Sequence, residues 1–212
     1  MNLVLALDTS TKKIVLALFD GDLYTISYMG NEKHAAKLAI LAKELTDASR
    51  RKIKDANLIG LGVGPGSLTG LRVGMSFAIG IASVNGAKIV PLNSLEIIAA
   101  SVPYEEVVVI RKARRGYVYF QIFPHWKKPR VLDIESAEKE IGKLRIPVVV
   151  GDGKELFNFR KFPDYFDYPL PETLIDLTIR NSNRAVEYTR VNPLYIQKSI
   201  AEINFEKREG TS

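Results

Sequence analysis

The sequence predicts an α/β fold built on a mixed sheet of strand order 3-2-1-4-5, followed by a smaller unit that repeats the order in reduced form. Three observations carry this. Three short apolar runs separated by turn residues open the chain, a segment with helix-spaced leucines follows, and two strand-and-helix pairs then alternate.

Residues 3–8 and 14–19 are apolar runs split by Thr9-Ser10-Thr11-Lys12-Lys13. Asp20-Gly21-Asp22 is a turn signal, and residues 23–29 are rich in strand formers, so the three runs read as an antiparallel meander. Leu38, Leu41, Leu45 and Ala48 then recur at helical spacing behind Asn31, a suitable N-cap, and Arg50-Arg51-Lys52 reads as a solvated basic patch. A fourth strand over residues 58–64 runs into Gly64-Pro65-Gly66-Ser67-Leu68-Thr69-Gly70. The helix expected over about residues 71–84 is apolar nearly all round, which implies burial on several sides or a subunit contact. Asn85-Gly86 ends it, residues 88–92 form a fifth strand, and Ser94 caps another helix. A meander followed by two right-handed crossovers suits a ribonuclease-H-like sheet.

The second unit begins near Val102-Pro103. Residues 106–112 and 117–123 read as a hairpin turning over 113–116, 130–133 as a strand, 135–143 as a helix and 146–151 as a buried strand. Residues 154–168 are aromatic-rich and irregular. Residues 172–190 are mostly helical with a break near Asn181-Ser182-Asn183, and the tail after Phe205 is expected to fray. The expected organisation is a first lobe over 1–101, a degenerate second lobe over 102–190, and a C-terminal segment over 191–212 that packs back on the first lobe.

Composition narrows the chemistry. The chain has 212 residues, 46% hydrophobic and 25% charged, which is enough apolar material for a sizeable core. The absence of cysteine excludes disulfide, zinc-thiolate and iron–sulfur frameworks, and the two histidines, His34 and His125, exclude a multi-histidine metal site. No apolar run approaches the ~20 residues of a membrane span, and Met1-Asn2-Leu3-Val4 has no basic leader, so a soluble cytoplasmic protein is expected. The net charge of +6 divides evenly, with 11 basic and 8 acidic residues in 1–100 and 19 and 16 in 101–212. Such a balance permits contact with nucleic acid without requiring it.

In that strand order, strands 1 and 4 are neighbours whose connections leave in opposite directions, and ligands favour the crevice beyond such a switch point. Asp8-Thr9-Ser10-Thr11 and the glycine loop converge there. Gly64, Gly66 and Gly70 allow close backbone approach; Ser67 and Thr69 offer hydroxyls, Arg72 a charge, and the helix N-terminus free N–H groups for an anion. The spacing matches neither GxGxxG nor a P-loop nor GxSxG. Asp8 could hold a metal-bound water, with Thr9 and Ser10 cradling a phosphate; an Asx or ST turn beside a tight strand-to-helix turn accounts for the same residues. The candidate crevice residues are therefore Asp8, Thr9, Ser10, Gly64, Gly66, Ser67, Thr69 and Arg72. His34 reads as a packing or capping residue or, less simply, a proton-transfer group. Arg111-Lys112-Ala113-Arg114-Arg115 reads as a solvated turn or an RNA grip, Trp126 as packing or a base platform, and Asp152 as a turn residue. Met75, Phe77, Ile79 and Ile81 read as core or as a helix–helix interface with Leu38, Leu41 and Leu45, where Gly74 lets backbones approach.

Together, Leu5-Ala6-Leu7-Asp8-Thr9-Ser10-Thr11, His34 before a leucine-bearing helix, and Gly64-Pro65-Gly66-Ser67-Leu68-Thr69-Gly70-Leu71-Arg72-Val73-Gly74 resemble the TsaB (YeaZ) family, with weaker echoes at residues 91–95, 113–119 and 193–196. The resemblance implies an actin-like (ASKHA) pair of ribonuclease-H-like lobes. It implies a subunit that binds TsaD, the catalyst of N6-threonylcarbamoyl transfer to adenosine 37 of tRNA, alongside TsaE and TsaC. It also implies a homodimer or TsaD interface on the first-lobe helices, drawing on His34, Leu38, Leu41, Leu45, Arg72, Gly74, Met75 and Ala78, with tRNA reached through the complex, no membrane contact, no cofactor needed by this chain alone, and ATP or ADP possible at the complex interface. The histidine pair at helical spacing that holds a metal in TsaD-like proteins is missing, and Ser10 stands where an actin-type phosphate loop has glycine. Lys112 and Tyr117 in the second lobe and Gln197 near the end of the chain depart from the family pattern. The competing expectations are an ATP- and magnesium-dependent actin-fold phosphotransferase using Asp8, Ser10, Gly64, Gly66 and Ser67, and an RNA-binding module using residues 111–115.

Overall fold

The opening apolar runs pair as a meander, β1 (Val4–Asp8), β2 (Lys13–Phe19) and β3 (Leu23–Met29), and β4 (Leu58–Gly62) and β5 (Lys88–Leu92) add to it in parallel. The sheet order is β3-β2-β1-β4-β5, as the sequence predicts. The structure, a computed structural model, describes residues 3–30 and 34–196, so the expected cap Asn31, Gln197 and the tail after Phe205 lie outside the described residues.

β1 is buried along its whole length because both faces of the sheet are covered. Leu5, Leu7, Leu16 and Leu18 point toward α1 (His34–Ser49) and α2 (Leu68–Asn85). Val4, Ala6, Val15 and Ala17 on the opposite face pack against Leu174, Ile175 and Leu177 of α5 (Pro171–Arg180). That placement corrects the expectation for residues 102–190. α5 lies on the first sheet, where the apolar face of the helix meets the uncovered side of β1 and β2, and Gly60 of β4 lets Thr178 approach. The chain stays on this sheet afterwards: Val186 bridges to Ile89, Val191 joins the core, and Leu194 N–H donates to the Val63 carbonyl at 2.8 Å.

The second sheet has the order β10-β9-β6-β7-β8, the same 3-2-1-4-5 arrangement, built from β6 (Val107–Lys112), β7 (Tyr117–Phe123), β8 (Arg130–Asp133), β9 (Val148–Val150) and β10 (Arg160–Lys161). α4 (Ile134–Gly142) covers Val108, Ile110, Phe120 and Ile122, while α3 (Ser94–Ala100) covers Val107, Val109 and Val150. The two mixed sheets with their helices constitute the actin-like (ASKHA) fold.

Several local expectations shift. The fourth strand ends at Gly62 and α2 starts at Leu68, because Ser67 caps it. Asn93, not Ser94, caps α3. Arg51 of the expected basic patch pairs with Asp20. Among the described residues α2 is the one helix long and apolar enough to cross a membrane by length and composition, which the sequence expectation passed over; its inner residues Leu71, Gly74, Ala78 and Ala82 are packed on the sheet.

Residues 154–168 are organised by a buried cation. Lys154, 1% exposed, donates to the Phe162 carbonyl and to Asp164 at 2.6 Å each and pairs with Asp167 at 2.9 Å. Asp167 in turn accepts from Gly151 N–H at 2.9 Å. Burial raises the Asp167 carboxyl above its ordinary value in spite of Lys154. Burial pulls the Lys154 ammonium down, but its hydrogen bonds to Asp164 and Asp167 outweigh that and raise it. Removing one partner of a buried pair costs about 3–5 kcal/mol, so Lys154→Met lowers stability by about that amount in urea unfolding. The lysine's contribution is complete below its ordinary value of 10.5 and is lost as pH climbs through the raised folded value, so wild-type stability falls above that point and the variant's falls less.

Candidate functional site

The end of β1 and the loop opening α2 meet as predicted, and they interlock. Asp8 is fully buried. Its Oδ1 accepts from the Ser10 N–H and hydroxyl at 2.8 and 2.7 Å, and its Oδ2 accepts from the Ser94 hydroxyl at 2.7 Å. The Ser94 hydroxyl oxygen accepts from Gly64 N–H at 3.1 Å, and Ser94 N–H donates to the Gly64 carbonyl at 2.8 Å. Ser67 N–H donates to the Ser10 carbonyl at 2.8 Å, and the Thr9 hydroxyl donates to the Gly70 carbonyl at 2.7 Å.

The glycines serve this contact. A Cβ on Gly62 would lie 1.9 Å from Asp8 Oδ2, on Gly66 2.3 Å from the Ser10 carbonyl oxygen, on Gly70 2.0 Å from that of Thr9, and on Gly74 2.2 Å from Thr9 Oγ1. Their missing side chains are filled by the β1 loop, so the small residues close a joint where the sequence allowed a phosphate cradle. The N-terminus of α2 is also engaged, since Ser67 Oγ accepts from Gly70 N–H at 3.2 Å.

Arg111 reaches this joint from the second sheet. It is 4% exposed, and its Nη1 donates to Ser10 Oγ at 3.3 Å and the Pro65 carbonyl at 3.2 Å, while Nη2 donates to the Ser10 carbonyl at 3.3 Å. Its Nε has no hydrogen-bond partner and stands 3.8 Å from Asp152 Oδ1. The expected basic cluster over 111–115 is therefore divided. Arg111 is a buried bolt between the sheets, and only Lys112, Arg114 and Arg115 are exposed. Beside the bolt lies a cleft of about 320 Å³ lined by Ser10, Lys12, Ser67, Arg111, Lys112 and Tyr119 among others, with no carboxylate in its wall. Burial raises the Tyr119 phenol above its ordinary value, partly opposed by Arg111. On the Asp8 side of the crevice, three of the roughly four acceptor positions of the carboxylate are taken by protein hydrogen bonds. Thr69 and Arg72 are exposed on the first turn and a half of α2 and take no part in the joint.

The expected interface residues separate as well. Leu38, Leu41 and Leu45 are 1–3% exposed and belong to the core under the first sheet. Gly74 is filled by Thr9, and Ala78 is fully buried. These five residues face inward, because a helix covering a sheet buries its small and leucine-rich stripe, and this corrects their assignment to an outer contact. His34 Nε2–H donates to the Thr11 carbonyl at 2.8 Å, tying the start of α1 to the β1 loop. Arg72 is exposed, and Met75 is half-buried. His125 pairs with Glu106 at 2.8 Å, away from His34's partner. Trp126 packs on Phe120 with ring centroids 5.2 Å apart, and the Arg130 guanidinium lies over it at 4.1 Å, so no face is left for a base. Asp152 accepts from Lys112 N–H at 2.9 Å, the turn role expected for it. Ser94 and Arg111 are the joint residues that the sequence did not single out for it.

A family model described as TsaD, tRNA N6-adenosine threonylcarbamoyltransferase, matches residues 29–130. The Haemophilus influenzae tRNA threonylcarbamoyladenosine biosynthesis protein TsaB is 25% identical over 232 aligned positions, covering 98% of this chain and 97% of that protein. The Escherichia coli protein of the same description is 31% identical over 80 residues, 37% of this chain and 35% of its own length. A Pseudomonas aeruginosa crystal structure described as similar to peptidase YeaZ shares the fold with a TM-score of 0.81 at 24% identity, covering 93% of this chain and all of that one.

Three variants test the joint, one of them a control away from it. Gly70→Ala presses a methyl onto Thr9 backbone and lowers stability by about 2–3 kcal/mol or more. Gly80→Ala, on the same helix with nothing within 4 Å, raises stability by roughly 0.5–1 kcal/mol, both read by chemical denaturation. Asp8→Ala strands the Ser10 and Ser94 donors and costs about 2–3 kcal/mol of stability by the same measurement; a purely ligand-binding Asp8 would leave the unfolding midpoint unchanged.

Proposed function

We propose that this chain, which is similar over nearly its whole length to a tRNA threonylcarbamoyladenosine biosynthesis protein TsaB, is a member of the TsaB (YeaZ) family and a non-catalytic scaffold subunit that pairs with TsaD for threonylcarbamoyl transfer to adenosine 37 of tRNA. The observation that carries this reading is the outer side of α2. The helix is long and apolar, yet its outward side is uncovered. Val73, Met75, Phe77, Ile79 and Ile81 are only half-buried, Leu68 and Val84 are 41% and 80% exposed, and Ile40 of the neighbouring α1 is 48% exposed. These half-exposed apolar side chains flank an outward stripe of small and polar residues, Thr69, Arg72, Ser76, Gly80 and Ser83, and apolar flanks of this kind are what a protein interface buries. Met75 and Arg72 remain interface residues in this reading, with Ser76 and Gly80 between them on the outward side in place of the inward leucines.

The same face joins two copies when TsaD is absent, and TsaE joins the assembly of this chain with TsaD in the cytoplasm. The chain requires no cofactor of its own, and ATP or ADP binds at the complex interface. The alternative of an ATP-dependent phosphotransferase needs Asp8 to hold magnesium, whereas its two oxygens are committed to Ser10 and Ser94.

The test is reconstitution. Ser76→Glu and Gly80→Glu place a charge on the outward side without touching the core, so each weakens pairing by at least about tenfold, roughly 1.4 kcal/mol, in analytical ultracentrifugation while the unfolding midpoint stays near wild type. tRNA modification by TsaD falls with them. Full modification in the absence of this chain rejects the proposal.

A further inference from the structure

We infer that the tip of the β6–β7 hairpin is a docking surface for the phosphate backbone of RNA, with tRNA as its source; this rests on the reading that the chain works on tRNA, and it assigns to this chain a direct contact with the substrate. The hairpin turn is closed by Ala113 N–H to the Tyr117 carbonyl at 3.1 Å and Tyr117 N–H to the Arg114 carbonyl at 2.9 Å. Gly116, at φ +81°, completes the reversal and leaves Arg114 and Arg115 exposed at the tip beside Lys112. The Arg114 guanidinium lies 4.1 Å from the centre of the Tyr117 ring. Stacking fixes the plane of the guanidinium and leaves its N–H edge for an oxyanion.

Several exposed cations elsewhere are matched with carboxylates, Lys43 with Asp47, Lys139 with Glu135, Lys143 with Glu140 and Arg180 with Asp176. Among the described residues no carboxylate pairs with the side chains of Lys112, Arg114 or Arg115. Asp152, the acidic residue beside them, is already turned to the Lys112 N–H and toward Arg111. The row continues into the cleft wall, where Lys12, Arg111 and Lys112 stand with the hydroxyls of Ser10 and Ser67 and no carboxylate. Three exposed cations leading into a cation-lined cleft match a string of phosphates. The ring at the tip, Tyr117, is covered by Arg114. The contact is therefore to backbone, without base stacking, and is independent of sequence.

The experiment is fluorescence anisotropy of the full chain with an unmodified tRNA transcript across a salt series, with poly(U) and poly-glutamate as competitors. Neutralising three to four phosphates predicts a log–log salt slope of about −3. Arg114→Ala with Arg115→Ala makes the slope shallower by about 1.5 and weakens binding roughly tenfold at low salt, while Lys127→Ala with Lys128→Ala at the other end of β7 leaves both unchanged. Poly(U) competes and poly-glutamate does not. Equal binding by wild type and the Arg114/Arg115 variant overturns the inference, and displacement of tRNA by poly-glutamate at equal charge transfers the surface to an acidic protein instead. Pairing with the catalytic partner is read separately by ultracentrifugation. Normal pairing with unchanged tRNA binding sinks this inference alone; lost tRNA affinity in the variant with no pairing by the wild type sinks the scaffold reading alone.

Discussion

Everything distinctive in this molecule depends on the joint between the end of β1 and the loop that opens α2. Asp8, Thr9 and Ser10 occupy the space that side chains would fill at Gly62, Gly66, Gly70 and Gly74, and their polar atoms are satisfied by Ser94, Ser67 and the backbone of Gly70. The contact fixes α2 close against the sheet. Because the inner side of that helix is made of Gly70, Leu71, Gly74, Ala78 and Ala82, the larger apolar residues are displaced to its flanks and outer side. Close packing within the chain and half-exposed apolar flanks on α2 are thus consequences of one arrangement.

The second sheet is attached by charge as much as by apolar packing. Arg111 carries a buried guanidinium into the joint, and Lys154 anchors the irregular stretch that closes the second lobe. A buried cation stabilises a structure only when its hydrogen bonds are nearly complete. Lys154 meets that condition through Phe162, Asp164 and Asp167, whereas Arg111 keeps one nitrogen without a hydrogen-bond partner beside the cleft. The second sheet therefore meets the crevice through a polar contact in which Ser10, itself held by Asp8, is shared by both lobes.

The sheet order was legible in the sequence because apolar runs, turn residues and helical spacing are local signals. What each face meets is not local. The spacing of Leu38, Leu41 and Leu45 marks a buried stripe, but it does not say whether the chain's own sheet or a partner covers it, and the resemblance pointed to the partner. The α5 helix shows the same gap: Leu174, Ile175 and Leu177 define an apolar side, while the sheet it covers is set by the free face of β1 and β2. Glycine is ambiguous for a related reason. Gly66 and Gly70 fit a phosphate cradle or a close backbone contact equally well, and the choice depends on a loop more than fifty residues away in sequence. Arg111, at the end of an apolar strand, gave no local sign of its partners, since Ser10 and Pro65 are brought to it only by the docking of two sheets.

In the resulting account the crevice is a closed internal joint and α2 is the surface on which the chain acts. Hydrogen–deuterium exchange on the full chain, alone, with magnesium and ATP, and with TsaD, tests this most directly. The account predicts strong protection of α2 residues 72–84 by TsaD, with exchange at residues 8–11 and 64–70 already slow and unaltered by ATP. Protection of residues 8–11 and 64–70 by ATP and magnesium alone, with α2 unchanged by TsaD, would contradict it.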